Sequence, residues 1–265
     1  MPVCHRAGGF LTKEASCVFS IRIAELVVRI DNKYDYVREF CKDYIVSDDL
    51  PADIEILTID REVMDEIISL GGRPESFAKL DYKQKAFIRY EHLYTYRKIC
   101  NEMIRFNGFL MHAAVNAVDG EAYAFCAKSG TGKTTHMKLW LEKFGERAQV
   151  VNGDKPILRY IDGTLYAFGT PWCGSEGMGA DIKAPLKAIC FIERSETNSI
   201  MRMTPSAVLG RIFHQLLMPQ DEESLDSFMN MIEHMIATVP CYLLRCNMEM
   251  DAADVAWQGI QEDRI

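Results

Sequence analysis

The 265-residue sequence has no dense block of lysine and arginine, and its formal net charge at pH 7 is -8. This charge argues against a general affinity for nucleic acid or for anionic membrane surfaces. No run of about eighteen apolar residues occurs, as a membrane-spanning helix would need. The first residues, MPVCHRAGGFLTKEAS, contain no apolar stretch typical of an export signal. We therefore expect a cytoplasmic protein with neither a membrane nor a nucleic-acid partner.

The nine cysteines are scattered and form no C-x-x-C pair. Neither a disulfide framework nor a zinc site is indicated, and a reducing compartment fits this pattern best. Hydrophobic residues make up 48% of the chain and charged residues 26%, which is typical of a globular protein with little disorder. A chain of this length can form one large α/β domain or a catalytic domain with a smaller partner.

The first part of the chain reads as a small α/β unit. Its predicted elements are strands within 18–30 and 54–59 and helices at 34–45 and 61–70. Glycines and a proline then interrupt the pattern, and apolar side chains recur at helical spacing from Tyr82 to Met103. We predict one long helix that ends near Phe106, and we assign residues 1–106 to this N-terminal unit.

After Gly108 the pattern changes to short strands separated by tight turns. Asp119-Gly120 and Asp162-Gly163 suit type I′ hairpin turns, so the sheet is predicted to be mixed rather than purely parallel. The predicted strands are 109–118, 121–126, 148–151, 156–160, 164–168, 186–192 and 241–246, and the predicted helices are 134–144, 206–217, 222–237 and 252–260. We assign residues 107–265 to this second domain.

The segment from Ala127 to Thr135, AKSGTGKTT, has the pattern of a phosphate-binding P-loop between a strand and a helix. Its glycines let backbone N–H groups face a phosphate, its lysine reaches the β and γ phosphates, and its hydroxyl coordinates Mg²⁺. Ala127 replaces the usual first glycine at a position that tolerates a small side chain. The residues assigned to nucleotide binding are Ser129, Gly130, Thr131, Gly132, Lys133, Thr134 and Thr135. We expect binding of ATP, or another nucleoside triphosphate, with Mg²⁺ held by Thr134.

A second candidate lies in the segment VVNGDK, which places Asp154 just after a short apolar strand. A carboxylate there could hold the metal or accept a proton from an acceptor hydroxyl. The alternative is that residues 152–154 form only a turn, since all three residue types favour turns. We assign Asp154 as a metal ligand. We assign both Asp154 and Lys133 as catalytic residues.

SGTGKTT after an apolar strand, an upstream histidine and a following GD resemble the HPr kinase/phosphorylase and ATP-dependent phosphoenolpyruvate carboxykinase superfamily. The resemblance covers roughly 108–154 and implies an α/β fold: a P-loop kinase domain built on a mixed sheet, with a smaller N-terminal α/β unit. It also implies a metal held by the loop hydroxyl and an acidic pair, although Lys155 stands where the second acid is expected. TTHMKLW, NGDKPIL and GTPWCGSEG further resemble an uncharacterised bacterial group of HPr-kinase-like proteins.

His112 is a third candidate, predicted on one strand face with Leu110, Ala114 and Asn116. A lone histidine on a strand is commonly structural, whereas the resemblance matches it to a histidine near the phosphates. We assign it a catalytic role. His136, one turn into the predicted P-loop helix, is expected to pack or to lie beside the base.

The segment GTPWCGSEGMG, residues 169–179, is predicted to be an active-site loop. Its Glu176 is assigned as catalytic: it could ligate metal or pair with Lys133 when nucleotide is absent, the alternative being a solvated carboxylate. Cys173 is expected to be at most a contact residue. Arg194 either neutralises charge on the transferring phosphate or is an ordinary surface arginine.

Together these features predict an ATP- and Mg²⁺-dependent kinase that phosphorylates a hydroxyl acceptor. The acceptor could be a serine of a protein or peptide, or a small molecule. The alternative is a nucleotide-binding regulatory module or ATPase switch without a phosphoacceptor. The sequence does not determine the acceptor, the nucleobase or the oligomeric state. A homo-oligomer is one of the states that it allows.

Overall fold

The computed structural model describes residues 17–58, 80–219 and 221–263. They belong to two compact units, and the chain passes from one to the other between Ile99 and Cys100, within one long helix. The domain limits 1–106 and 107–265 remain a prediction, and the helix predicted at 61–70 lies outside the described residues. No helix within the described ranges is long and apolar enough to cross a lipid bilayer.

The first unit contains four short strands, a short helix and most of a long one. They are β1 Cys17–Ile23, β2 Leu26–Asn32, α1 Tyr36–Phe40, β3 Ile45–Val46, β4 Ile54–Leu57 and α2 Leu80–Met103. A single 3₁₀ turn at Lys42–Tyr44 completes the helical stretch predicted at 34–45. The strand order among the described residues is β3-β1-β2-β4, with β2 and β4 parallel. The predicted run 18–30 is a hairpin, because Ala24 and Glu25 both adopt positive φ at its turn.

The second unit contains most of the chain's secondary structure. Its strands are β5 Gly108–Leu110, β6 Ala114–Val118, β7 Glu121–Cys126, β8 Ala148–Asn152, β9 Ile157–Ile161, β10 Thr164–Phe168, β11 Lys183–Arg194, β12 Ser199–Arg202 and β13 Cys241–Cys246. Its helices are α3 Lys133–Phe144, α4 Pro205–Ile212, α5 Glu222–Thr238 and α6 Asp251–Glu262. Single 3₁₀ turns follow at Ile104–Phe106, Gly145–Arg147 and Phe213–Gln215.

These strands form one mixed sheet, as predicted. Over the described ranges the order is β5-β9-β10-β11-β7-β6-β8, and β13 pairs with both β11 and β12. β7, β11 and β13 run parallel to one another, while the other pairs are antiparallel. Asp119-Gly120 and Asp162-Gly163 have positive φ at both residues, as a type I′ turn requires.

Both faces of the sheet are covered, which explains why every residue of β7 after Glu121 is buried. On one face, Trp140 of α3 packs against Tyr123 of β7 and Trp257 of α6. On the other face, Phe228 of α5 packs edge-on against Phe109 of β5. The sheet therefore presents the ends of its strands, rather than its faces, to solvent.

The prediction of one strand over 109–118 is wrong, because β5 and β6 are separate. Between them, the His112 N–H donates to the Gln215 carbonyl at 2.6 Å, and the Ala113 N–H donates to the Asp154 carbonyl at 3.1 Å. These backbone groups bond to loops instead of to a neighbouring strand. His112 therefore lies in a connection and shares no strand face with Ala114 and Asn116. The short strand β12 was not predicted.

Candidate functional site

The glycine-rich segment 127–132 connects the carboxyl end of β7 to the start of α3. Gly130 and Gly132 have φ values of 77° and 130°, in a region that residues with a Cβ rarely adopt. Gly132 is the N-cap of α3, and no side chain caps this end of the helix. The first backbone N–H groups of α3 are therefore available to an anion, which the helix dipole also favours.

A cleft of about 390 Å³ opens in front of these N–H groups. Its wall contains the assigned residues His112, Ser129, Gly130, Gly132, Lys133, Thr134, Thr135, Asp154 and Glu176. Thr131 instead lines a second cavity on the other side of the segment. The fold thus gathers side chains that are far apart in sequence around the start of one helix.

Lys133, the first residue of α3, is only 8% exposed. Its Nζ donates a hydrogen bond to the Ala127 carbonyl at 3.1 Å. Burial lowers the pKa of Lys133, and the negative charge of Asp154 opposes that shift. The ammonium is thus held inside the cleft by the carbonyl oxygen at the start of the glycine-rich segment.

Glu176 does not pair with Lys133, one of the roles considered for it, because it forms an ion pair with Lys138, on α3. Both side chains of that pair are about half exposed, so solvent screens the interaction and it contributes little stability. Lys133 Nζ is buried and turned toward the Ala127 carbonyl, whereas the Glu176 carboxylate lies at the rim of the cleft. Glu176 is placed to border the site rather than to neutralise its buried lysine.

Asp154 is the best-connected side chain of the cleft. His112 Nε2 lies 3.1 Å from Asp154 Oδ1, and Lys155 Nζ lies 2.6 Å from Asp154 Oδ2. Burial alone would raise the pKa of Asp154, but the hydrogen bonds from His112 and Lys155 outweigh it and hold that pKa well below its usual range. The carboxylate is therefore ionised at neutral pH.

Residues 152–154 do form a turn, and that turn is what positions Asp154. The Asn152 Oδ1 accepts hydrogen bonds from the N–H groups of Asp154 and Lys155, at 2.9 and 2.7 Å. Asn152 is fully buried, and its Nδ2 donates to the Thr170 hydroxyl at 3.0 Å. That hydroxyl donates in turn to the Lys155 carbonyl at 2.9 Å. Asn152 was recognised from the sequence only as a turn residue, and Thr170 was not predicted.

The loop at residues 173–178 forms the wall opposite α3. At Gly174, with φ of 86°, a Cβ would lie 2.9 Å from the Cβ of Asp154. The glycine thus permits the loop to approach the carboxylate closely. Cys173 lies in the same wall, and burial raises the pKa of its thiol, so the reactive thiolate form is disfavoured.

Arg194, at the end of β11, contacts the glycine-rich segment directly. Its Nε donates to the Thr131 carbonyl at 3.0 Å, and its Nη2 donates to the Gly130 carbonyl. A planar guanidinium that holds two successive carbonyls fixes the orientation of both peptide planes. Because the C=O and N–H of a trans peptide point in opposite directions, the Gly132 N–H is turned away from Arg194.

His136 packs within the core instead of lining the cleft. It is 2% exposed and lies against the rings of Phe125 and Trp140. Its Nε2 accepts a hydrogen bond from Trp140 Nε1 at 3.0 Å, and burial lowers its pKa to about 4. The neutral imidazole is thus a structural acceptor.

The oxygen donors in the cleft fit Mg²⁺ better than a softer metal. Among the described residues, no group of three or more histidine, cysteine, aspartate or glutamate side chains is arranged to hold a metal ion. The cleft offers the Thr134 hydroxyl and the Asp154 carboxylate, which are hard oxygen ligands. Mg²⁺ takes few protein ligands and completes its shell with water and phosphate oxygens, so such a sparse donor set suits it.

Comparison with known proteins yields a weak structural likeness and no match by sequence. No protein-family model and no curated protein matches the sequence. Among solved structures, the chain is similar to the Hpr(Ser) kinase/phosphatase from Coxiella burnetii, with a TM-score of 0.37 and 9% sequence identity. That match covers 58% of this chain and 90% of the other. The likeness is too weak to assign a family.

Proposed function

We propose that the protein is an ATP- and Mg²⁺-dependent phosphotransferase that transfers the γ-phosphoryl group to a hydroxyl acceptor. The observation that carries this proposal is the cleft itself. It brings the uncapped start of α3, the buried ammonium of Lys133, the Thr134 hydroxyl and the ionised Asp154 into one cavity. These are the groups that phosphoryl transfer requires, because its catalysis is mostly positioning and charge stabilisation.

In this proposal the triphosphate lies in the glycine-rich segment, which acts as a P-loop. The backbone N–H groups at the start of α3 bind its oxygens, and the Lys133 ammonium leaves the Ala127 carbonyl to contact the β and γ phosphates. Lys133 needs only a local rotation for this, because its side chain already lies inside the cleft. Thr134 and Asp154 would hold Mg²⁺, which neutralises phosphate charge when bound.

The hydrogen bonds of Asp154 decide its chemical role. A carboxylate with a strongly lowered pKa is a weak proton acceptor, so it contributes little as a general base. The same property suits a metal ligand that must stay ionised and an acceptor that orients a hydroxyl by hydrogen bonding. We therefore assign Asp154 to holding the metal and orienting the acceptor, with His112 fixing the position of its carboxylate.

Lys155 supports the alternative function, which is a nucleotide-binding regulatory module without a phosphoacceptor. Its ammonium neutralises the carboxylate that would hold the metal, and it stands where a second acid was expected. A site weakened in this way could bind nucleotide and switch conformation without transferring phosphate to an acceptor. The two functions differ in the fate of the γ-phosphate.

Labelled γ-phosphate distinguishes them. Wild type should transfer label from ATP to a hydroxyl acceptor such as a serine-containing protein or peptide or free serine. Lys133→Ala and Asp154→Asn should lower the rate by about a hundredfold or more. Asp162→Asn is the matched control, because Asp162 is an exposed hairpin residue outside the cleft and asparagine tolerates its positive φ. If wild type hydrolysed ATP without transferring phosphate to an acceptor, the nucleotide-dependent switch would be favoured. If it bound ATP but neither hydrolysed it nor transferred phosphate, the kinase proposal would be refuted.

A further inference from the structure

A second cavity, of about 630 Å³, lies on the other side of the P-loop segment. Its walls are formed by the segment itself, by the end of β11 at Phe191–Arg194 and by the stretch from Arg211 to Gln215. Ser129 and Gly130 line both cavities. The loop is therefore a shared wall, and one ligand bound along it can contact both sides.

The side chains assigned to phosphate, metal and acceptor line the first cavity and not the second. These side chains are Lys133, Thr134, Asp154 and His112. An acceptor hydroxyl must meet the γ-phosphate beside these groups, so the acceptor belongs in the first cavity. The second cavity is left for the part of a nucleotide that takes no part in the reaction.

The lining of the second cavity suits a flat ring system with polar edges. Phe191 and Ile192 are almost fully buried, whereas Arg194 contributes a planar guanidinium held in place by two loop carbonyls. Nucleobases bind by placing their faces against apolar side chains and guanidinium planes, while their edges reach polar groups. In the first cavity the larger apolar side chains are Met137 and Met178, and no aromatic ring besides His112 lines it.

The position of the second cavity in the sheet also supports a nucleobase as its ligand. β7 and β11 are parallel neighbours, and the cavity lies at the carboxyl ends of both, lined by Cys126 and Arg194. Ligands of open α/β sheets bind in the crevice outside the carboxyl ends of the strands. Asp154 follows β8, on the opposite side of β7, so the two ends of a nucleotide would lie on the two sides of this strand.

From these observations we infer that the second cavity binds the nucleoside, base and ribose, of the nucleotide whose triphosphate lies at Lys133. The inference rests on the proposed function, since it requires a triphosphate in the P-loop. Arg194 then has two tasks. It fixes the peptide planes of the loop, and it presents its guanidinium to the base.

Inorganic tripolyphosphate tests this inference, because it carries the three phosphates of ATP without a nucleoside. His214 is an exposed residue of the cavity wall, so His214→Trp should obstruct the cavity without disturbing the core. Met218→Trp adds the same side chain at an exposed position outside the cavity and is the matched control. Binding of both ligands, each with Mg²⁺, should be measured calorimetrically on the full chain.

We expect His214→Trp to weaken ATP binding by about tenfold or more while tripolyphosphate binds as to wild type. Retained tripolyphosphate binding also reports that the variant is folded and its P-loop intact. Met218→Trp should bind both ligands normally. Unchanged ATP affinity in His214→Trp, beside normal tripolyphosphate binding, would overturn the nucleoside site alone. If wild type bound neither ligand, the proposed function itself would fail, and the inference with it.

Discussion

His112 Nε2 lies 3.1 Å from Asp154 Oδ1, although the two residues belong to different connections of the second unit. The backbone reinforces this contact, since the Ala113 N–H donates to the Asp154 carbonyl at 3.1 Å. Lys155 binds the other carboxylate oxygen. Asp154 is thus held from two sides, and its pKa is lowered by the same contacts that orient it.

We predict that His112→Ala lowers kcat/KM by about tenfold to a hundredfold, as loss of a residue that supports a metal ligand generally does. With one hydrogen bond gone, the pKa of Asp154 should rise, and the acid limb of the pH–rate profile should move to higher pH. His112→Gln keeps an N–H donor and should restore part of the rate. A profile unchanged in His112→Ala would show that His112 does not act through Asp154.

Gly174 should be required for activity, because a Cβ there would lie 2.9 Å from the Cβ of Asp154. Gly177 is its matched control, since it also has positive φ but a Cβ would meet nothing within 4 Å. Both alanine variants should lose about 1 kcal/mol of unfolding free energy through backbone strain. Only Gly174→Ala should also lose transfer activity. Equal activity in the two variants would mean that the loop does not need this close approach to Asp154.

Replacing Arg194 should weaken nucleotide binding rather than lower the free energy of unfolding. Arg194→Ala removes two hydrogen bonds to the P-loop carbonyls and should raise the Kd for Mg-ATP by about tenfold. Arg194→Lys cannot hold both carbonyls with a planar fork and should recover only part of the affinity. Arg202→Ala, which removes an exposed arginine outside both cavities, should bind as wild type does. A normal Kd in Arg194→Ala would contradict the loop contact.

His136 should make the protein sensitive to acid. Burial lowers its pKa from 6.5 to about 4, so between these values the unfolded chain binds a proton that the folded chain does not. Unfolding free energy should therefore fall as pH drops from 6.5 to 4, by about 3 kcal/mol from this residue. His136→Gln keeps an acceptor for Trp140 Nε1 but cannot titrate, and its denaturation curves should show a smaller loss. An equal loss in both proteins would exclude His136 as the cause.

The parts of the site that were predicted from sequence are local in the chain. A buried strand, the glycines, Lys133 and Thr134 follow one another directly, so spacing alone places them at the start of a helix. The Asp-Gly turns and the mixed sheet were predictable for the same reason, because turn chemistry depends on adjacent residues. Asp154 was assigned because it follows a short apolar strand about twenty residues after the lysine.

What sequence could not give depends on contacts between distant segments. His112 was predicted within one extended strand over 109–118, but its N–H bonds to the Gln215 carbonyl, more than a hundred residues later. Pairing of Glu176 with Lys133 was one of the roles considered for it, but Glu176 forms its ion pair with Lys138 instead. Arg194 reaches the carbonyls of the glycine-rich segment only because β11 lies beside β7 in the folded sheet. No periodicity or spacing encodes such pairings.

The most direct test of the central claim, that this cleft binds a nucleoside triphosphate through Lys133, is a denaturation measurement with and without Mg-ATP. At about one hundred times its Kd, the ligand should raise the unfolding free energy of wild type by about 2.7 kcal/mol. Lys133→Ala under the same conditions should gain far less. Equal stabilisation of the two proteins, or none in wild type at any attainable concentration, would contradict the account.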